Sequence, residues 1–436
     1  MKAIPYCFLC FFFINSCAAP KQQAAVNETT PAKTMDSLPA PYATKSVMHF
    51  SNVVGWEEGE APVAPEGFAV TRYANGLQNP RWMYVLPNGD VLVAESNTEH
   101  GLIEKAGAAI ICANKSNDMR KSANRITILR DMDKDGKPDV KETFLSGLNQ
   151  PFGMLLLKNN FYVANTDALW MFPYKKGALT ITGEGKKITD LPAGKINRHW
   201  TRNIISNSKG NKIYIAIGSG TNVAEKGLDE EKDKAQIWEI NPDGSGLKVY
   251  ASGLRNPVGM DWAPGTQTLW VAVNERDELG DDLVPDYITG VKRGGFYGWP
   301  YAYFGQHIDP RIEAKDQQPE LVKKAIVPDV ALGAHTASLG LLFYTGKQFP
   351  PKYRNGAFVA QHGSWNRSVL AGYKVMFIPF KNGKPAGEEE DFLTGFIIEP
   401  DGKKVHGRPV GLAMLSDGSM LVTDDTSDII WRVSAE

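Results

Sequence analysis

The sequence has almost no net charge and no long hydrophobic run outside its first residues. Its 48 Lys and Arg residues balance 49 Asp and Glu residues, which leaves a formal net charge of −1. Such balance is not typical of proteins that bind nucleic acid or an anionic membrane surface. Helical periodicity is also scarce, whereas the chain has 42 glycines and 27 prolines. This composition favours an all-β protein with many turns.

Cysteine is nearly absent after the N-terminal segment. Cys7, Cys10 and Cys17 lie within the first 17 residues, and Cys112 is the only other cysteine of the sequence. Once the first three are removed or modified, no internal disulfide can form. Stability must then come from burial of a core.

Residues 1–17 are predicted to form an export signal. One lysine precedes an apolar run from Cys7 to Ile14, which is too short to span a bilayer. The segment ends at Cys17 in a sequence that resembles a bacterial lipoprotein box. We therefore expect an exported lipoprotein of the cell envelope, acylated on Cys17 and bound to a membrane only through that anchor. The alternative is plain secretion with cleavage after Ala19.

Residues 18–65 are predicted to be a flexible tether. The stretch is rich in Ala, Pro, Thr and Lys and poor in large apolar residues. Burial in such a segment cannot offset the entropy lost on ordering. Residues 66–436 are then expected to form one domain.

One phrase occurs three times in this domain. "GLQNP" begins at Gly76, "GLNQP" at Gly147 and "GLRNP" at Gly253, and each is followed by an apolar strand, a turn and a second apolar strand. This is the pattern of a β-hairpin. Looser copies of the plan begin at His199, His335 and Gly407, so the sequence predicts six similar units. The inner strands of these units are predicted to begin near Pro80, Pro151, Trp200, Pro257, Ser338 and Pro409.

The six units predict a six-bladed β-propeller. The last copy is followed only by "DIIWRVSAE", which leaves its sheet one strand short, while "FAVTRYA" (68–74) precedes the first copy with no sheet of its own. Pairing of these two terminal segments would close the ring and protect the sheet edges. A pair of β-sandwiches or a solenoid is the alternative.

Several longer phrases resemble a known family. They read "HWTRN", "GLRNPVGM", "DELGDDLVPD", "GGFYGWPYAYFG", "LGLLFYTGKQFP", "AQHGSWNRS" and "GRPVGLAMLSDGSMLVTDD". In this order they resemble the sorbosone dehydrogenase family, which belongs to the sugar dehydrogenases that depend on pyrroloquinoline quinone (PQQ). The resemblance covers nearly the whole chain after the tether. It implies a six-bladed propeller that oxidises a sugar or sugar-derived aldehyde with PQQ and Ca²⁺ and passes the electrons to an unknown acceptor.

The resemblance also implies a set of cofactor-binding residues. PQQ carries three carboxylates, which arginine can bind through two parallel hydrogen bonds. The resemblance places Arg255, Asn256 and Arg408 at the cofactor. Further candidates lie at or beside the same loop positions, and these are Arg202, His335, His362 and Arg367. His335 stands where the glucose-oxidising branch has an aromatic residue that stacks on the sugar, which argues against glucose as the substrate.

His199 is the candidate catalytic base. Oxidation of a hydroxyl removes a proton from oxygen while hydride leaves carbon, and histidine titrates near the pH at which such a base works. His199 matches the histidine that acts as general base in the related glucose dehydrogenases. His335 and His362 are the alternatives.

Two acidic segments are candidate calcium sites, because Ca²⁺ prefers oxygen ligands. The first, which we call the acidic loop (residues 274–286), lies where the family holds a calcium against PQQ, and Glu275, Asp281 and Asp282 are its candidate ligands. The second is found from the residues alone and is called the aspartate loop (residues 131–142). Its spacing fits a twelve-residue calcium loop with a glycine at the sharp turn. The candidate ligands of the aspartate loop are Asp131, Asp133, Asp135, Asp139 and Glu142. For each segment the alternative is a solvated acidic turn.

Two other functions remain open from the sequence. A calcium-dependent lactonase-type hydrolase can use a similar propeller, and so can a non-catalytic glycan-binding protein, because a fold does not fix a function. The arginines favour the PQQ enzyme, since a lactonase has no three-carboxylate cofactor to hold.

Overall fold

The computed structural model describes residues 38–100, 113–117, 119–399 and 402–436. The predicted export signal, the acylation site Cys17 and Cys112 lie outside these ranges. Regular structure in the described residues is almost entirely β-strand. None of the helices found there is long and apolar enough to cross a lipid bilayer.

Six four-stranded antiparallel sheets form a ring, so the predicted six-bladed β-propeller is confirmed. We number the blades 1 to 6 along the chain and letter the strands a to d from the axis outward. Blade 1 contains Pro80–Val85, Val91–Glu95, Arg125–Arg130 and Val140–Leu145. Blade 2 contains Met154–Leu157, Asn160–Ala164, Ala168–Pro173 and Lys186–Asp190. Blade 3 contains Ile204–Ser206, Ile213–Ile217, Gln236–Ile240 and Lys248–Ser252.

The other three blades follow the same plan. Blade 4 contains Pro257–Trp262, Leu269–Val273, Pro285–Gly290 and Val330–Ala334. Blade 5 contains Ser338–Phe343, Ala357–Gln361, Lys374–Ile378 and Glu390–Leu393. Blade 6 contains Pro409–Met414, Met420–Asp424, Ile429–Ala435 and, as its outer strand, Phe68–Ala74.

The N-terminal strand of the ring closes blade 6, as predicted. Phe68–Ala74 pairs antiparallel with Ile429–Ala435. The pairing covers an edge that would otherwise be open, because the last segment of the chain supplies only three strands to its sheet.

Short elements lie outside the blades. Strand Gly295–Phe296 extends blade 3 in parallel to its outer strand. The short strands are Asn52–Val53, Ala302–Tyr303, His307–Ile308, Phe380–Lys381, Lys384–Pro385 and Lys404–Val405. The helical turns are Ala113–Ser116, Leu228–Glu231, Ala314–Asp316, Pro319–Val322 and Pro351–Tyr353.

The backbone geometry requires the glycines of the repeated phrase. Gly253, which opens one copy, has φ 73°, a conformation that other residues rarely adopt. The glycine inside strand a is needed for a different reason. A Cβ on Gly259 would lie 2.4 Å from the backbone nitrogen of Leu341, and a Cβ on Gly340 would lie 2.3 Å from the carbonyl oxygen of Val410. Adjacent a strands therefore approach too closely at these points for a side chain, which lets the strands pack around the axis.

Residues 38–65 lie on the propeller, and we call them the strap. Asn52–Val53 pairs in parallel with Lys404–Val405. Trp56 packs against Phe396 and Trp431. The flexible tether predicted for residues 18–65 is therefore not found over residues 38–65. Large apolar residues are sparse in this segment, but Val53 and Trp56 pack, partly buried, against the core of blades 5 and 6. This packing and the backbone pairing with Lys404–Val405 offset the entropy of ordering.

Candidate active site

The loops after strands b and d face one end of the ring, because the four strands of a blade alternate in direction. We call this end the mouth. Several buried polar atoms on these loops have no hydrogen-bond partner among the described residues. They are Asn165 Oδ1, Thr201 Oγ1, Asn256 Oδ1 and Gln361 Oε1, which come from four successive blades or from the connections between them. Buried polar atoms are normally satisfied, so this end of the ring is built to hold water or a polar ligand.

His199 lies at the mouth in the connection from blade 2 to blade 3. Its Nδ1 is 3.0 Å from the carbonyl oxygen of Ser219 and 2.8 Å from Ser219 Oγ. The Ser219 hydroxyl donates to the carbonyl oxygen of Thr221 at 2.7 Å. Both atoms near Nδ1 therefore act as acceptors, so the proton of a neutral imidazole is on Nδ1. The lone pair is then on Nε2, the atom that a general base uses.

The surroundings of His199 keep its ring neutral. Burial lowers the pKa of His199 well below 6.5, and the nearby positive charge of Arg255 lowers it further. A neutral ring at physiological pH is the form that can accept a proton.

Asn256 lies beside His199. A Cβ on Gly218 would lie 2.5 Å from His199 Cβ and 2.6 Å from Asn256 Oδ1, so the glycine allows both side chains to approach. The unpaired Oδ1 of Asn256 marks this point as a place for a polar ligand. The structure thus brings together two of the predicted site residues.

A second group of predicted residues meets across the mouth, around a carboxylate that the sequence analysis missed. Asp425 Oδ1 accepts a hydrogen bond from His362 Nε2 at 2.9 Å, and Asp425 Oδ2 accepts one from Arg81. Arg408 donates to the carbonyl oxygens of His362 and Gly363 at 2.9 and 2.8 Å. We call Arg81, His362, Arg408 and Asp425 the cationic cluster.

The charged groups of the cationic cluster act on one another. Burial alone would raise the pKa of Asp425, but His362 and Arg81 outweigh it and hold this pKa below its usual range. Burial, together with the charge of Arg408, lowers the pKa of His362. The cluster therefore places two arginines beside the Asp425 carboxylate. Arg81 follows the Asn-Pro of the Gly76 phrase, which is the only signal in the sequence that could have found it.

The guanidinium of Arg255 is buried among the loops of the mouth. Its side chain is only 2% exposed. Its Nε and Nη2 donate to Asn222, and its Nη1 donates to the carbonyl oxygens of Asn274 and Glu275 at 3.1 and 2.6 Å. These contacts hold the acidic loop in place, and the contact between Arg255 and a cofactor stays a prediction.

Two other predicted cofactor residues, Arg202 and His335, also make hydrogen bonds to groups of the protein. Arg202 is fully buried and donates to the carbonyl oxygens of His199 and Pro192. His335 lies between Asp277 Oδ1 and the carbonyl oxygen of Gly280, at 3.0 and 2.7 Å. Their contacts support neighbouring loops.

Arg367, the last of the predicted cofactor residues, pairs with Asp282 at 3.2 Å. This pair lies partly exposed in the loop after strand b of blade 5, and it links that loop to the acidic loop.

The acidic loop does not bring its predicted metal ligands together. The Glu275 carboxylate is buried and accepts from the backbone nitrogen of Arg276, while burial raises the pKa of Glu275 to about 7. Asp281 accepts from Ser368. Since Asp282 pairs with Arg367, each carboxylate has a separate partner, and the predicted site of Glu275, Asp281 and Asp282 is not formed.

The aspartate loop does gather carboxylates. Oxygen atoms of Asp131, Asp133 and Asp139 lie within 4.8 Å of one another, and no other such group of three occurs in the described part of the chain. Asp135 and Glu142 were predicted as ligands too, but they are outside this group. Asp135 accepts from the backbone nitrogen of Lys137, and Glu142 lies in strand d of blade 1. The loop joins strands c and d and lies at the end of the ring opposite the mouth.

The residues at the mouth fit PQQ in two respects. The cationic cluster supplies positive charge for a carboxylate-bearing ligand, and the unpaired polar atoms near the axis provide partners for the polar edges of a flat ring system. His199, with Nε2 as its basic atom, is followed in the chain by Trp200, and the guanidinium of Arg81 lies over the Trp200 ring at 5.7 Å.

Comparison with known proteins agrees with the fold. The sequence matches the model of the TrAA12-like family over residues 62–285 and 304–436. An uncharacterized protein of Borreliella burgdorferi is 32% identical over 67% of this chain and 78% of its own length. A pyrroloquinoline quinone-dependent pyranose dehydrogenase of Coprinopsis cinerea is 24% identical over 84% of this chain and 54% of that relative. The chain therefore spans about half the length of the fungal enzyme.

Solved structures share the propeller. The calcium structure of the Trichoderma reesei enzyme of Carbohydrate-Active Enzymes Family AA12 has a TM-score of 0.69 at 18% identity, covering 86% of this chain and 97% of that chain. The holo form of the PQQ domain of the Coprinopsis cinerea pyranose dehydrogenase has a TM-score of 0.68 at 19% identity, covering 88% and 100%. At such identities the likeness shows the fold. Because the family model spans most of the sequence, the chain belongs to the TrAA12-like family.

Proposed function

We propose that the protein is an oxidoreductase that uses PQQ to oxidise a sugar or a sugar-derived aldehyde. The observation that carries the proposal is the arrangement at the mouth, where a neutral histidine with its basic Nε2 available faces a positively charged cluster. Relatives named as PQQ-dependent sugar dehydrogenases support the choice of cofactor. The narrower assignment to sorbosone oxidation stays a prediction from the sequence.

His199 supplies the base. Conversion of a hydroxyl to a carbonyl removes a hydride from carbon and a proton from oxygen. Bound PQQ would supply the acceptor for the hydride and its two electrons. His199 Nε2 takes the proton. The hydrogen bond from Nδ1 to Ser219 stabilises the imidazolium that results. An aldehyde reacts as its hydrate, so the same two transfers yield the acid.

The cationic cluster and Asn256 hold and orient the cofactor. Arg81 and Arg408 supply charge for its carboxylates, and Asp425 fixes Arg81 and His362 in place. Asn256 offers a polar side chain next to His199, and its unpaired Oδ1 would be available to the cofactor or the substrate. Convergence of these groups from blades 6, 1 and 5 on one side and blade 3 on the other makes them a site.

We propose that Ca²⁺ binds the aspartate loop and stabilises it. Asp131, Asp133 and Asp139 supply three close carboxylates, and the calcium structure of the Trichoderma reesei relative supports calcium binding in the family. Glu275, Asp281 and Asp282 are not included, since they do not converge.

We propose further that the protein works at the bacterial cell envelope as an exported lipoprotein. The support is the N-terminal signal and Cys17 in the sequence. A lipid anchor would keep the mouth near an electron acceptor of the envelope.

Reconstitution tests the proposal. Purified protein is incubated with PQQ and Ca²⁺ and then assayed against a panel of aldoses, ketoses and their aldehyde derivatives with a dye as electron acceptor. Lactone hydrolysis and glycan binding are measured in parallel without PQQ. PQQ-dependent reduction of the dye supports the proposal. Lactone hydrolysis or glycan binding without any PQQ-dependent oxidation would contradict it and favour one of the two alternative functions.

A further inference from the structure

The strap runs along the mouth rather than away from the domain. Its first part contacts the acidic loop, where Thr44 Oγ1 accepts from the backbone nitrogen of Asp281 at 2.7 Å. The backbone nitrogen of His49 then donates to the carbonyl oxygen of Trp365 at 2.7 Å, in the loop after strand b of blade 5. The part of the strap that runs along the mouth ends at Trp56, which packs against Trp431 of blade 6.

Trp56 makes a polar contact inside an apolar packing site. Its ring stacks on His406 at 4.3 Å between centroids, and it meets Trp431 edge to face. Its Nε1 donates to Asp424 Oδ2 at 2.8 Å. Arg72 fixes the strap at this point, because it donates to the carbonyl oxygen of Trp56 at 3.0 Å.

Asp424 links Trp56 to the cationic cluster. The Asp424 side chain is fully buried. Its Oδ1 accepts from the backbone nitrogens of Arg408 at 2.9 Å and of Ser427 at 3.2 Å, whereas Trp56 is the only hydrogen-bond partner of Oδ2 among the described residues. The next residue in the chain is Asp425, which binds His362 and Arg81.

Space around Asp424 is too limited for it to move to another partner. A Cβ on Gly407 would overlap the Asp424 carboxylate, so the backbone already lies against it. Loss of the Trp56 hydrogen bond would leave a buried, unpaired carboxylate oxygen, which is costly. The carboxylate would then favour its protonated form, and loss of the charge weakens its hold on the Arg408 backbone.

We propose that Trp56 is a positioning residue of the active site, which acts through Asp424 to set Arg408 and Asp425 in the geometry that binds the cofactor. The strap is thus part of the functional unit and not a spacer. The consequence for cofactor binding rests on the proposed function, whereas the positioning itself can be measured without any cofactor.

The test compares two Trp→Phe variants in the full chain. Trp56→Phe keeps an aromatic ring for packing but removes the N–H. Trp270→Phe is the control, because Trp270 is more deeply buried than Trp56 and its Nε1 has no hydrogen-bond partner among the described residues. Hydrogen exchange of peptides that contain Arg408 and Ser427 is followed by mass spectrometry without cofactor. PQQ affinity is then measured by fluorescence titration.

The expected results separate positioning from general stability. Trp56→Phe should speed exchange at Arg408 and Ser427 and weaken PQQ binding about tenfold, the size expected for one hydrogen bond to a charged group. Trp270→Phe should change neither by more than about twofold. In an Asp424→Asn background, Trp56→Phe should add little, because its partner charge is already gone.

Each other outcome is decisive. Unchanged exchange and PQQ affinity in Trp56→Phe would overturn the proposal, as would equal effects of the two Phe variants. If the wild type binds no PQQ, the proposed function fails, and the exchange data alone then decide whether Trp56 positions Arg408. If Trp56→Phe does not fold, Asp424→Asn takes its place, and unaltered exchange at Arg408 in that variant overturns the proposal.

Discussion

Replacement of His199 by asparagine should stop proton removal while leaving the mouth assembled. An asparagine amide can still donate to the carbonyl oxygen of Ser219, as Nδ1 of His199 does at 3.0 Å. It has no basic nitrogen to take the place of Nε2. The variant therefore separates the chemical role of His199 from its structural contact.

The size of the effect follows from the role of a general base. Such a base contributes about 10²–10⁴ to the rate, which corresponds to about 3–5 kcal/mol of activation free energy. The rate is best measured in a single turnover, with PQQ-loaded protein mixed with sugar and the reduction of the bound quinone followed by absorbance. PQQ affinity should stay within about twofold of wild type, since Asn256 and the cationic cluster are untouched.

The pH dependence of this rate provides an internal check. Burial, with help from the charge of Arg255, holds the pKa of His199 well below 6.5. The wild-type rate should therefore fall only at acidic pH, where His199 becomes protonated and can no longer accept a proton. This limb of the profile should be missing in His199→Asn. A variant rate within tenfold of wild type, or an unchanged acid limb, would refute the assignment of His199 as base.

Three further predictions concern stability. Ca²⁺ at about 100 times its dissociation constant should stabilise the wild type by about 2.7 kcal/mol. Thermal melts should show this stabilisation lost in Asp133→Ala and kept in Asp135→Ala, because only Asp133 is one of the three carboxylates that lie close together. Burial alone would lower the pKa of His335, but its hydrogen bond to Asp277 outweighs this and raises the pKa above 6.5. The protonated histidine therefore stabilises the fold below pH 6.5, and this stabilisation is lost as pH rises through the raised pKa. Urea unfolding should show a larger fall in the free energy of unfolding from pH 6 to 9 for wild type than for His335→Gln. Arg255→Lys should lower the free energy of unfolding by about 2–4 kcal/mol, because lysine cannot replace the buried guanidinium hydrogen bonds to the acidic loop; a change below about 1 kcal/mol by urea titration would contradict that role.

The sequence predicted the ring because its repeats follow local rules. Four of the predicted inner-strand starts coincide with the structure, at Pro80, Pro257, Ser338 and Pro409. The other two strands begin a few residues after the predicted Pro151 and Trp200. The inner strands of blades 1, 4, 5 and 6 have a register shift near their start. In blade 2 the predicted start precedes Gly153, whose backbone nitrogen donates to the carbonyl oxygen of Arg202 at 2.9 Å, in the connection to blade 3.

The site was predicted less well than the fold, since the direction of a side chain depends on neighbours distant in sequence. The motif around Arg255 placed it at the correct loop, but it gave no sign that contacts with Asn222 and the acidic loop bury the guanidinium. Arg81 was missed because its partner Asp425 is 344 positions away. Trp56 was missed for the same reason, since its segment looks like a linker until the blade 6 surface is known.

The charge count in the acidic loop was misleading for a physical reason. Many carboxylates in one loop require neutralisation, and the sequence analysis supplied a metal ion for this purpose. The structure supplies protein partners instead, among them Arg255, His335 and Arg367. In the aspartate loop, where the ligand spacing and not the charge count carried the prediction, three of the predicted carboxylates converge.

Equilibrium titration of PQQ into the wild type and into Arg408→Gln tests the central claim most directly. The account predicts one PQQ bound per wild-type chain, and an affinity at least about tenfold lower in Arg408→Gln, since that variant loses a cation of the cluster while His199 stays in place. Absence of PQQ binding by the folded wild type, or equal affinity of the two proteins, would contradict the claim that the mouth of this propeller holds a quinone between the cationic cluster and His199.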